Sequence, residues 1–171
     1  MDENFIKLRN EMSACALNGK DADRFIELYN SFEQLRTARP WLNSAASGGN
    51  TRIIQFLLQL KCDVNERSRG SIKQPALAAA CSEAKVDATA LLLKEGASVT
   101  VDDIVDNALF SAIHARSLDC VKLLVDAGID IHKVYDLGHR HKNALAFAEE
   151  EGCTDIAKYL REQGAVLPPA K

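Results

Sequence analysis

The chain has 171 residues, 47% apolar and 26% charged, with 21 Lys+Arg against 24 Asp+Glu for a net charge of −3. That balance excludes a disordered or fibrous chain, and the near-neutral charge removes the whole-molecule field that draws in nucleic acid or an anionic membrane. The length suits one domain or a short repeat array and is too short for two ordinary enzyme domains.

No apolar run approaches the ~18 residues of a bilayer span. The start, Met1-Asp2-Glu3-Asn4, lacks the basic opening and apolar core of a signal peptide. A cytoplasmic setting with neither nucleic-acid nor membrane partner is expected. The five cysteines, Cys15, Cys62, Cys81, Cys120 and Cys153, include no CxxC pair and are odd in number, so reduced thiols buried as small apolar residues are expected.

In chain order, Phe5, Leu8 and Met12 share one helical face, and after a break at Gly19 the residues Phe25, Leu28, Tyr29, Phe32 and Leu35 recur at helical spacing. Residues 1–39 therefore read as a divergent hairpin. Asp2, Glu3, Lys7, Arg9 and Glu11 give it the polar exterior of a capping unit.

From Pro40 onward one pattern recurs four times: a short Ala-rich segment, a break, an apolar segment, then a turn. The first copy runs Leu42, Ala45 and Ala46, then Gly48-Gly49-Asn50, then Ile53, Ile54, Phe56, Leu57 and Leu58, then Cys62-Asp63-Val64-Asn65. The second has Leu77, Ala80 and Cys81, then Ala88 and Leu91 to Leu93, then Gly96-Ala97-Ser98-Val99. The third has Leu109, Ala112 and Ile113, then Val121 and Leu123 to Val125, then Gly128-Ile129-Asp130-Ile131. The fourth has Leu145, Ala148 and Gly152, then Ile156, Ala157, Tyr159 and Leu160, then Gly164-Ala165-Val166. Aligned on Leu42, Leu77, Leu109 and Leu145, the copies are spaced by 35, 32 and 36 residues.

These residues resemble the motif of the ankyrin-repeat family, whose period is about 33 residues. The resemblance implies an all-α, ankyrin-type solenoid of about five helix-turn-helix hairpins with finger loops. It divides the single domain, 1–171, into the capping hairpin 1–39, repeats 40–74, 75–106 and 107–142, and a C-terminal capping repeat and tail, 143–171. No copy keeps the family's Thr-Pro-Leu-His opening, whose Pro position is held by Trp41, Ala76, Ala108 and Ala144. Pro40, Pro75, Asn107 and Asn143 are placed to take over part of its work as helix starts.

The residues alone point the same way. Ala45, Ala46, Ala79, Ala80, Ala112 and Ala148 permit close approach of an inner helix to its neighbours, and the Leu-rich helix that follows supplies volume. One hairpin alone leaves an apolar face uncovered, so neighbours must stack. Gly96, Gly128 and Gly164 suit left-handed helix ends, and Asn50, Ser117 and Thr154 stand where caps of the second helix belong.

The family resemblance implies a non-enzymatic protein that binds a protein partner through its fingers and the concave surface of its inner helices. The fingers alternate in charge: Arg67, Arg69 and Lys73, then Asp102, Asp103 and Asp106, then Lys133, Arg140 and Lys142. Asn43, Ser47, Ser82, Glu83, Ser111, His114, Phe147 and Glu150 fall at exposed inner-helix positions, and His139 and His141 extend the third finger. Trp41 reads as a packed cover over the first hairpin, and Tyr135 as a rim contact or anchor. Small size and divergence fit a bacterial protein that inhibits a toxin or other enzyme, in the manner of an immunity protein.

Two alternatives remain. One is a small metal-binding sensor or enzyme using His132, His139 and His141, although no carboxylate or Cys has ligand spacing to them; the other is a homodimeric scaffold. Gly48-Gly49 lacks the Lys-Ser/Thr ending of a phosphate loop, Asp102-Asp103 and Glu149-Glu150-Glu151 read as solvated charge, and no cysteine lies beside a His in a known active-site motif. No cofactor, resident metal or catalytic residue is expected.

Overall fold

A computed structural model describes residues 3–19, 21–38, 40–67, 74–100, 107–136 and 141–169. Helices α1 (Glu3–Leu17) and α2 (Ala22–Ser31) form the first hairpin, followed by a short α3 (Glu33–Arg36). Met12 and Ala16 from α1 meet Phe25 and Leu28 from α2 in its core. The expected helical run through Phe32 is interrupted: Phe32 takes an extended conformation with φ −129°, lies exposed, and separates α2 from α3. Leu35 returns to the core from α3.

Four inner and outer helix pairs follow: α4 (Trp41–Gly48) with α5 (Thr51–Gln59), α6 (Ala76–Ser82) with α7 (Val86–Lys94), α8 (Ala108–His114) with α9 (Leu118–Asp126), and α10 (Ala144–Glu150) with α11 (Thr154–Glu162). The inner helices begin at Trp41, Ala76, Ala108 and Ala144, immediately after Pro40, Pro75, Asn107 and Asn143. Proline there pre-sets the chain for a helix start, while the Asn107 and Asn143 side chains accept from Leu109 N–H and Ala146 N–H. Asn50 and Ser117 cap the outer helices by accepting from Ile53 and Cys120 N–H. Thr154 does not cap: it is already the first residue of α11, and Cys153 holds the cap position without a side-chain cap bond.

The inner row is built from small side chains. Ala45, Ala46, Ala78, Ala80, Ala112 and Ala148 are buried, which lets α4 approach α6, and α6 approach α8, more closely than the outer helices approach one another. A stack tighter along one row curves toward it, so the inner helices line the concave side. The outer helices fill the space behind with Ile53, Ile54, Leu57, Leu92, Val121, Leu124, Ile156 and Leu160, all essentially inaccessible. Burying each such side chain contributes about 1.5–3 kcal/mol.

The first hairpin joins the same core. Trp41 is 3% exposed, meets Phe25 edge to face with ring centroids 5.6 Å apart, and donates its indole N–H to Leu35 O at 2.7 Å. Gly48 lies against the end of α1, where an added Cβ would run into the carbonyls of Ala16 and Leu17. A residue with no side chain is what permits this approach.

The connections between the repeats, the expected fingers, are described at their bases. The third carries a small antiparallel pair, β1 (Tyr135–Asp136) with β2 (His141–Lys142), and the base of the first is closed by a bridge between Arg67 and Pro75. At their starts, Asp63 and Asp130 use a side-chain oxygen to accept the N–H two residues on, from Asn65 and His132.

Candidate protein-interaction surface

Ser47, Ser82, His114 and Glu150 occupy the same place in the four inner helices, the seventh residue of each. Ser82, His114 and Glu150 are exposed and Ser47 is half-buried. Helical periodicity explains the row: Ala45, Ala80, Ala112 and Ala148 turn into the core, and the residue two positions on emerges on the open side. Glu83 extends it outward, and Ser111 and Phe147, the fourth residues of α8 and α10, lie half-buried beside it.

The row is tied together at its C-terminal end. His114 Nδ1 lies 3.4 Å from Glu151 Oε2, and the Arg116 guanidinium donates to Glu151 O at 2.7 Å, so two side chains of the third repeat reach the fourth. The sequence did not single out Arg116, and it marked Glu151 only as solvated charge. A signal existed: Arg116 stands where the first and fourth copies have Gly49 and Gly152, and it keeps their left-handed conformation with φ 56°.

Two expected contact residues are structural instead. Asn43 is 6% exposed and spends its amide on Gln74 O at 2.6 Å, bracing the end of the first finger. Tyr135 is 8% exposed; its hydroxyl accepts from Asn107 Nδ2 at 2.6 Å and its ring meets Phe110 edge to face at 5.4 Å. An aromatic ring at the base of a finger is drawn inward because Phe110 and Phe147, 5.0 Å apart, form a cluster beside it. Tyr135 is thus unavailable as a rim anchor.

Lys142 also acts locally, in an ion pair with Glu150 and with Nζ 5.2 Å from the Phe147 ring centroid. Lys133 lies 5.4 Å from the Tyr135 ring centroid, and His141 Nε2 is 3.8 Å from Asp136 Oδ2. These contacts make the base of the third finger a braced platform. Arg67 is exposed at the first finger. Arg69, Lys73, Asp102, Asp103, Asp106, His139 and Arg140 lie outside the described residues.

Among the described residues no group of three or more His, Cys, Asp or Glu side chains could hold a metal ion, and no helix is long and apolar enough to cross a membrane. His132 and His141 contribute to no such group, whereas His139 falls outside the description.

A family model described as ankyrin repeats in three copies matches residues 42–135 and 102–168. The chain belongs to the ankyrin-repeat family. Ankyrin repeats are protein-protein interaction modules. This ankyrin chain is 28% identical over 150 residues to Dauer abnormal formation protein 25 of Caenorhabditis elegans, a match covering 85% of the chain and 38% of that protein. It is 43% identical over 58 residues to protein phosphatase 1 regulatory subunit 27 of Homo sapiens, covering 34% of the chain and 36% of the relative. The mouse protein of the same name matches equally. The chain thus spans well under half the length of each of these relatives.

Proposed function

We propose that the chain binds a folded protein partner across the concave row, with finger charges setting the orientation of approach and without chemistry of its own. The observation that carries this reading is the row Ser47, Ser82, His114 and Glu150, one side chain per repeat on inner helices held rigid by alanine packing. A surface ordered before binding loses little conformational entropy when the partner arrives. The alternating fingers, Arg67, Arg69 and Lys73 against Asp102, Asp103 and Asp106, then favour one docking register over its reverse.

Regulation of an enzyme by stoichiometric binding is the form of this function that a relative supports, since one similar protein is named a regulatory subunit of a phosphatase. An immunity role against a bacterial toxin draws no such support from the nematode and mammalian relatives. The proposed setting is the cytoplasm.

Affinity capture from lysate tests the reading with three baits: wild type, a Ser82→Trp/His114→Ala double variant, and an Arg67→Glu/Arg69→Glu/Lys73→Glu variant. A protein retained by wild type and lost by the concave-row variant, with helical circular dichroism unchanged, supports it. Equal retention by all three baits would falsify the proposed surface. Adding the captured partner's own activity assay then separates inhibition from scaffolding.

A further inference from the structure

Between the second and third repeats the core contains a row of polar and sulfur atoms in place of hydrocarbon. Cys81 lies near the end of α6, Thr89 in α7 and Cys120 in the first turn of α9, and all three residues are 0% exposed. Thr89 Oγ1 is 3.7 Å from Cys81 Sγ and 3.7 Å from Cys120 Sγ, and the two thiols are themselves close enough to interact. The other outer helices place Ile54, Val121 and Ala157 at the Thr89 position, so repeat packing does not call for a hydroxyl there. Burying one costs free energy unless it is hydrogen-bonded.

The two sulfurs are not equivalent. Cys120 is the third helical residue after the Ser117 cap, where unpaired helix N–H groups favour negative charge. The Cys81 thiol and the Ser117 and Thr89 hydroxyls together lower the Cys120 thiol to about 6, against the opposing effect of burial. The same contact with Cys120, reinforced by burial, raises Cys81 well above the ordinary thiol range. A low-pKa thiol beside a second thiol is the arrangement of an attacking and a resolving cysteine.

We propose that Cys81 and Cys120 form a paired oxidation site that reacts with a hydroperoxide and closes into a disulfide between the second and third repeats. The Cys120 thiolate attacks one oxygen of hydrogen peroxide; an S–O bond forms as the O–O bond breaks, and the departing hydroxide takes up a proton as water. Cys81 then attacks the Cys120 sulfenic sulfur, losing its proton; the S–S bond forms as the S–O bond breaks, and a second water leaves. Two thiols are oxidised by two electrons and the peroxide is reduced by two. Because neither sulfur reaches solvent, the reaction follows local opening of the seam between these repeats. The crosslink ties α6 to α9 and thereby restricts movement between the repeats that carry Ser82 and His114.

The test treats the full chain, folded and reduced, with excess hydrogen peroxide, then alkylates the remaining thiols in denaturant and maps the peptides by mass spectrometry. The expected result is a mass loss of about 2 Da before alkylation, a linked Cys81–Cys120 peptide, alkylated Cys15, Cys62 and Cys153, and full reversal by dithiothreitol. Cys81→Ser should leave a sulfenic acid at Cys120 that a cyclic diketone probe captures. Full alkylation of Cys81 and Cys120 after treatment, or a linked peptide that forms only in denaturant, overturns the proposal. Should Cys81→Ser fail to fold, the wild-type peptide map decides alone.

Discussion

Asn65 and Ser98, 33 residues apart, are joined by a hydrogen bond: Asn65 Oδ1 accepts the backbone N–H of Ser98 at 2.8 Å. One period of the repeat is thereby tied to the next at the turn that follows each outer helix. Asn65→Ala should destabilise the chain by about 1 kcal/mol, seen as a lower urea midpoint at unchanged slope. Asn65→Asp retains the acceptor and should cost less; equal losses would show that the oxygen is not what matters.

Lys61 and Ala84 adopt left-handed backbone conformations, with φ 60° and 52°. At the equivalent helix-end position the later repeats have Gly96, Gly128 and Gly164, and at the interhelix turn Gly49 and Gly152. A side chain there costs roughly 1 kcal/mol, partly offset by the chain entropy that glycine forfeits on folding. Lys61→Gly and Ala84→Gly should each raise stability by about 0.5–1 kcal/mol, read as a higher thermal midpoint. The gain at Arg116→Gly should be smaller, because that change also removes the guanidinium bond to Glu151 O.

Lys85 holds the cap position of α7 and makes no side-chain cap bond, whereas Asn50 and Ser117 do so for α5 and α9. Lys85→Asn should stabilise α7 by about 1 kcal/mol. Slower amide exchange confined to Val86 through Ala88 would locate the gain at the first turn. An unchanged exchange pattern would rule out capping as its cause.

Glu11 accepts a hydrogen bond from Arg24 Nε at 2.7 Å, and this bond holds its carboxyl below the ordinary value of 4.5. On acidification the unfolded chain therefore takes up this proton first. The contribution is present in full above pH 4.5 and fades as pH falls through the lowered folded value. The pair is only half-buried, so the effect is small and weakens with salt. Glu11→Gln should flatten the stability profile in that acidic window and leave its slope near neutrality unchanged.

Much of the fold was legible because the small residues around Ala45, Ala80, Ala112 and Ala148 and the Leu42, Leu77, Leu109 and Leu145 positions repeat at nearly constant spacing. Asn50 and Ser117 were readable as caps because the cap bond is local. Thr154 misled because its neighbour Cys153 occupies the cap position while buried, with Sγ 3.5 Å from Ile113 O in the preceding repeat. Phe32 misled for a related reason: hydrophobic spacing continues through it, but its backbone turns extended so that α3 can return Leu35 to the core. Asn43 and Tyr135 depend on Gln74 and Asn107, partners 31 and 28 residues away. No local pattern announces such a partner. The Ser82, His114 and Glu150 positions were readable as outward-facing from helical period alone.

Trp41 is the chain's only tryptophan, and it sits where the first hairpin meets the repeats. Its emission is therefore a built-in optical gauge of that single junction, blind to the far end of the stack. Fluorescence and helical circular dichroism followed on the same sample would separate peeling of the first hairpin from melting of the remaining repeats. Coincident curves would mark the whole array as one cooperative unit.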